Sequence, residues 1–366
     1  MKIALIIFRI GPSHGSLLQT YALYNVLKSL GHSVTIVNRK DKLALKTFIR
    51  RTLSRLCKTL TGEHLNYIFS AKAIPSRIMR NLNIFVNKHL SDDLIEFSDF
   101  NINKCVYDIF IVGSDQVWRP KYVQDISYYF LDFVQNLKNI KRISYAASFG
   151  VSEWEYSELD TLGCKKLAKL FNAISVREDT GVALCNKYLG VSATHVLDPT
   201  MLLDDVDYIN LIDSQFLSSS PPTLAYSILD KNIIKDSIID NVSRILKLSP
   251  ISIKADENNP KYVETSIEFW LNSIRKSSFI ITDSFHATVF AIIFNKPFIV
   301  IGNKSRGISR LTSLLNMLGL SNRLVYENDS IDIDYLSQEV IQWDLVNERR
   351  SFWKKKSLDY LKNNIV

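Results

Sequence analysis

Residues 279–301, FIITDSFHATVFAIIFNKPFIVI, constrain the fold of this chain more than any other stretch. Two apolar, β-branched runs, 279–281 and 297–301, have the length of buried strands. Between them Thr282, Asp283 and Ser284 make a polar helix start, and an apolar helix continues through Phe294. Strand, helix and strand at this spacing form a parallel crossover, which places the chain in the α/β class. His286 then sits in the first helical turn at the carboxyl end of a parallel strand, where open α/β sheets bind their ligands. Amides at the helix start favour an anion nearby. An imidazole there is either a general acid–base or a residue that caps and packs the turn.

The same alternation runs along the rest of the chain. Lys2–Phe8 reads as a strand, Leu17–Leu30 as a helix ended by Gly31, and Ser33–Asn38 as a second strand. Further strands fall at 107–113, 141–147 and 173–176, and 194–197 precedes Asp198-Pro199-Thr200. A second series starts near Pro222, with strands at 223–229 and 251–254 and helices at 231–246, 266–277 and 310–318. These elements predict two α/β halves with a cleft between them, at 1–172 and 173–345, with a terminal helix over 346–366. A basic helical insertion occupies about 39–97 of the first domain.

With 366 residues, 46% of them hydrophobic, the chain can fill two ordinary cores. Cys57, Cys105, Cys164 and Cys185 are scattered and form no C-x-x-C pair, so neither a metal site nor a disulfide framework is expected. The opening residues lack a signal-peptide pattern, and charged or polar residues interrupt every long apolar run. A cytoplasmic protein is expected. The net charge of +8 concentrates between Arg39 and Lys88, where Asp41 and Glu63 are the acids. Within it, 42–58 sets Leu45, Phe48, Ile49, Leu53 and Leu56 at helical spacing among Lys46, Arg50, Arg51 and Arg55. Such a helix either docks on its own domain or lies on an anionic membrane face. No nucleic-acid-binding motif accompanies the charge.

Three other places carry chemistry. The loop 9–16, with Gly11, His14 and Gly15, follows the first strand and opens a helix, so it suits an anion or a sugar edge as well as a plain turn. Ser114, Asp115, Gln116 and Trp118 end the strand at 107–113. They offer hydroxyl-binding groups and a stacking face, or else a capped turn with Trp118 in the core. Arg177 ends the strand 173–176. Its guanidinium suits a carboxylate or phosphate, or a salt bridge to Glu178 or Asp179.

Taken in order, GSLLQTYAL (15–23), YDIFIVGSDQVW (107–118), SYAASFG (144–150), ISVRED (174–179), VLDPTMLL (196–203) and TDSFHATVFAIIFNKPF (282–298) resemble the polysaccharide pyruvyl transferase family. The resemblance spans about residues 3 to 320. It implies a GT-B-like fold of two Rossmann-type domains facing a cleft, with no metal and no cofactor. The implied reaction moves the pyruvyl carbons of phosphoenolpyruvate onto two hydroxyls of a sugar in a cell-surface polysaccharide or its lipid-linked precursor.

Under that resemblance His286 is the catalytic acid–base. Asp283, three residues before it, is placed either to orient the imidazole or to take a hydroxyl proton, and Asp115 is the other candidate base. Arg177 is expected to hold the donor. Family members carry an arginine two residues before the histidine. Ser284 stands there instead, which leaves Lys296, Arg306 and Arg310 to supply a cation. Gly15, Ser16, Gln19, Ser114, Gln116 and Trp118 fall to the acceptor. Two alternatives share these residues. One is a GT-B glycosyltransferase whose Arg177 and 282–286 helix start grip the diphosphate of a nucleotide-sugar. The other is an inactive glycan-binding or scaffolding subunit.

Overall fold

The computed structural model describes residues 1–39, 76–100, 106–213, 221–255, 259, 261–303, 307–327 and 333–365. The basic segment 42–58, Arg306, Cys57 and Cys105 lie outside the described residues. Strand and helix alternate through the first half as the apolar runs predict. In order come β1 Lys2–Ile6, α1 His14–Ser29, β2 Ser33–Asn38, α2 Arg80–His89, β3 Leu94–Glu96, β4 Ile109–Val112 and β5 Lys141–Ala147. They continue with α3 Glu158–Ala168, β6 Ala173–Val176, α4 Asp179–Leu184, β7 Thr194–His195 and α5 Asp205–Ile209. The strands form one parallel sheet in the order β3-β2-β1-β4-β5-β6-β7. Apolar residues cover both of its faces, as a buried parallel sheet requires. Ile3, Leu5, Ile109 and Ile111 point into one core, and Ala4, Ile6, Phe110 and Val112 into the other.

The second half comprises β8 Thr223–Ser227, α6 Ile233–Leu246, β9 Ser249–Ser252, α7 Ile267–Lys276, β10 Phe279–Thr282 and α8 Phe285–Ile293. After these come β11 Phe298–Ile301, α9 Ile308–Leu318, β12 Leu324–Val325, α10 Ile333–Gln338 and α11 Trp343–Ile365. The second sheet is also parallel, ordered β12-β11-β10-β8-β9. Among the described residues, no helix is long and apolar enough to cross a membrane.

The boundary expected at residue 172 moves. β6 pairs with β5 and β7 pairs with β6, so both belong to the first sheet. Periodicity marks a strand at 173–176, but only its hydrogen-bonding neighbour assigns it to a sheet. The second domain's strands therefore begin at β8. The terminal helix α11 crosses back onto the first domain, where Tyr360 donates to Ser144 O, Ser357 Oγ accepts from Leu197 N and Lys354 pairs with Asp204.

Candidate active site

Each sheet reverses its strand order once, between β1 and β4 in the first and between β8 and β10 in the second. Such switch points open a crevice at the carboxyl ends of the strands. The loops after these four strands line one cavity of about 490 Å³, which draws residues from both domains. Its walls include Gly15, Ser16, Asp115 and Gln116 from the first domain, and Ser284, His286 and Arg310 from the second.

His286 is the second residue of α8, whose cap is Ser284: its Oγ accepts from Ala287 N. The His286 side chain is 11% exposed. From the other domain Gly15 presses against it, and a Cβ added there would lie 2.1 Å from His286 Cγ. Glycine is the residue that permits this approach. Nε2 has no hydrogen-bond partner among the described residues and stands 3.8 Å from Asp198 Oδ2. Burial pushes the imidazole pKa down to about 4. Asp198 opposes that shift, and Arg177 reinforces it. The ring is neutral at pH 7.

The unfolded chain takes up this proton near pH 6.5. Folding stability carried by His286 is therefore full above that pH and is lost as pH falls towards 4. In ligand-free protein, histidine NMR should show His286 titrating with a midpoint near 4, and an anion bound beside it should raise that midpoint. A midpoint at 6.5 would show that the ring is solvated.

Beneath the imidazole lies an ionic cluster in which Arg177 and Asp198 are fully buried and Asp115 reaches the cavity wall. Arg177 donates from Nη1 to Asp198 Oδ2 at 2.5 Å and to Gln19 Oε1 at 3.3 Å, and from Nη2 to Asp115 Oδ1 at 3.3 Å. Gln19 Oε1 also accepts from Ser114 Oγ at 2.8 Å. Burial alone would raise the carboxyls of Asp115 and Asp198. Arg177 is the chief group that holds both below the ordinary range. Asp115 sits at φ 77°, a sparsely populated backbone for a non-glycine residue and one often kept at functional sites. Phe285 packs under two guanidiniums, Arg177 at 4.6 Å and Arg310 at 5.3 Å from its ring centre. Arg310 lines the cavity. Burial, with Arg177 next, lowers its pKa to about 10, so it stays cationic at pH 7.

The structure thus brings His286, Asp115, Ser284, Gly15, Ser16, Gln116 and Arg310 to one cavity and gives other work to the remaining candidates. Arg177 does not line the cavity; two carboxylates hold it in the interior. Asp283 lines the cavity, but its carboxylate accepts from Leu229 N, Asp230 N and Lys235 Nζ, so it anchors the loop after β8 and does not orient the imidazole. Gln19 and Ser114 position the guanidinium from below.

Trp118 is fully buried. It stacks on Phe130 at 4.7 Å and donates to Tyr129 O, which removes its ring from any sugar. Lys296 lies past the opposite end of α8, where its backbone N–H donates to Ala291 O. A nine-residue helix is about 13 Å long, so Lys296 cannot serve His286. Sequence reasoning assigned no role to Asp198. Its place just after β7, before Pro199, was the available signal.

A family model for polysaccharide pyruvyl transferase matches residues 14–305. The chain belongs to the polysaccharide pyruvyl transferase family. It is a transferase of that family, whose name points to modification of a polysaccharide. No curated relative matches it in sequence. Among solved structures, it is similar to Arabidopsis thaliana UGT89C1 complexed with UDP, at 12% identity, 98% coverage of each chain and a TM-score of 0.50. Neisseria meningitidis UDP-GlcNAc 2-epimerase bound to UDP-GlcNAc aligns at 11% identity, 100% coverage of each chain and a TM-score of 0.48. The fold is GT-B-like, two Rossmann-type domains facing a cleft.

Proposed function

We propose that the cleft transfers the pyruvyl group of phosphoenolpyruvate onto two hydroxyls of a sugar in a cell-surface polysaccharide or its lipid-linked precursor. The observation that carries this reading is a neutral imidazole whose Nε2 has no hydrogen-bond partner among the described residues, and a buried guanidinium, from His286 and Arg310, lining one cavity between the domains. The family supplies the reaction class. Phosphoenolpyruvate brings a carboxylate and a phosphate, and Arg310 with the start of α8 favours that charge.

In the first half of the reaction, the C2–C3 π pair takes up a proton at the methylene carbon, which becomes a methyl group, and C2 gains oxocarbenium character as one sugar hydroxyl bonds to it. His286 relays that proton, taking it from the attacking hydroxyl as it is delivered to the carbon. In the second half, phosphate leaves with the electron pair of its C2–O bond and the second hydroxyl closes the ketal. Two O–H bonds are broken: one proton ends on the methyl group and the other leaves with phosphate. An imidazole that is neutral at rest suits the first of these transfers.

Thermal-shift titration tests the donor. Phosphoenolpyruvate should raise the melting temperature saturably, and Arg310→Gln should weaken its affinity by roughly 10- to 100-fold, the value of one charge-assisted contact of about 1.5–3 kcal/mol. A shift seen only with nucleotide-sugars would favour the glycosyltransferase alternative, and no shift with either would favour the glycan-binding one. The 42–58 segment supports a reaction at an anionic membrane face. Neutralising Lys46, Arg50, Arg51 and Arg55 should lower binding to anionic vesicles and leave turnover of a soluble acceptor unchanged. Vesicle binding indifferent to those charges would remove the membrane role.

A further inference from the structure

His14 lines the same cavity, and the proton transfers assigned to His286 make no use of it. It opens α1, is 6% exposed and stacks on Trp270, another cavity residue, with ring centres 5.4 Å apart and planes 8° from parallel. Its hydrogen bonds run through Nε2, 2.9 Å from Thr265 O and 3.0 Å from Thr265 Oγ1. That hydroxyl in turn donates to Ile253 O. A carbonyl oxygen accepts only, so Nε2 carries the hydrogen and Nδ1 keeps its lone pair. The fold thus locks a tautomer in which the free ring nitrogen is basic.

His14 adjoins Gly15, the residue against which the His286 ring packs, so two imidazoles flank one glycine. Their electrostatic surroundings differ. Glu264 and Lys254 act on His14, whereas Asp198, Arg177, Asp115 and Arg310 act on His286. Burial lowers the His14 pKa, with Glu264 and the Thr265 hydrogen bond opposing and Lys254 adding to the effect.

Closing a ketal removes protons from two hydroxyls, and His286 accounts for the first. We infer that His14 takes the second, accepting at Nδ1 the proton of the sugar hydroxyl that closes the ring. The inference rests on the pyruvyl-transfer reading. In this step a C2–O bond to the second hydroxyl replaces the C2–O bond to phosphate, which departs with that electron pair. The proton resting on Nδ1 then passes to the departing phosphate.

The test compares wild type with His14→Gln, using phosphoenolpyruvate and a panel of methyl hexopyranosides and nucleoside-diphosphate sugars. Phosphate release is followed, and acceptor adducts are weighed by mass spectrometry. The variant should keep the thermal shift with phosphoenolpyruvate, slow phosphate release by roughly 100-fold or more, and accumulate an acceptor adduct that still carries phosphate. Wild-type phosphate release unchanged in His14→Gln overturns the role of His14 and leaves the pyruvyl reading standing. Slow release with no adduct and a lost thermal shift overturns it in favour of a structural role. A wild type that releases no phosphate with any member of the panel overturns both readings. If His14→Gln does not fold, nitrogen-15 histidine NMR of wild type decides: the ring stacked on Trp270 should be the Nε2–H tautomer, and an Nδ1–H tautomer overturns the assignment.

Discussion

His286→Ala should lower kcat by roughly 10²- to 10⁴-fold, the range of a lost positioned proton-transfer group, and leave phosphoenolpyruvate affinity within a few-fold of wild type. The split follows from what surrounds the ring. Its Nε2 makes no hydrogen bond among the described residues, so truncation strands no partner there. Asp198 keeps Arg177 and Thr200, and Arg310 is untouched. The cation that favours the donor therefore survives while the proton carrier is gone. Steady-state kinetics with parallel thermal-shift titration measure both quantities. Equal losses in kcat and in donor affinity would make His286 a binding residue and refute its role as proton carrier. Unchanged kinetics would remove it from the site altogether.

The parts of this site that were legible in the sequence are those fixed by local chemistry. The strand, Ser284 cap and helix around His286 follow from residues within a few positions of one another, and β10, α8 and β11 lie where the 279–301 pattern puts them. Loop 9–16 and Asp115–Gln116 reach the cavity because each ends a buried strand, which is readable from apolar run length. What failed to show depends on long-range pairing. β3 and β12 are short edge strands, recognisable only once β2 and β11 are beside them. Trp118 carries the same local signal as a sugar-stacking tryptophan, and the turn Ser127–Phe130 that buries it says nothing locally of its target. Asp198 looks like an ordinary cap of Thr200, a bond it does make, while its second oxygen serves Arg177. No spacing rule links residues 115, 177 and 198, since the sheet brings them together only when β4, β6 and β7 are aligned.

That same cluster sets the other large effect, at Arg177. Arg177→Ala should destabilise the protein by about 3–5 kcal/mol, the usual cost of removing one partner from a buried ion pair. The guanidinium, itself 1% exposed, bridges the fully buried Asp198, Gln19 and the cavity-edge Asp115. Removing it leaves Asp198 desolvated and uncompensated, with the Asp115 carboxylate and His286 nearby. Both carboxyl pKa values should then rise, because Arg177 is what holds them down against burial. The His286 pKa should rise too, since Arg177 is among the groups that depress it. Arg177→Lys should recover only part of the loss, because one ammonium cannot reproduce the fork that spans Asp198 and Asp115. Adding Asp198→Asn to Arg177→Ala should restore some stability by removing one stranded charge, a non-additivity that a double-mutant cycle reads directly. Denaturant unfolding of the four proteins measures the cycle. The contrary result is specific: if Arg177→Ala keeps its unfolding midpoint and loses only donor affinity, the guanidinium is a donor contact, and the buried bridge does not hold the site together.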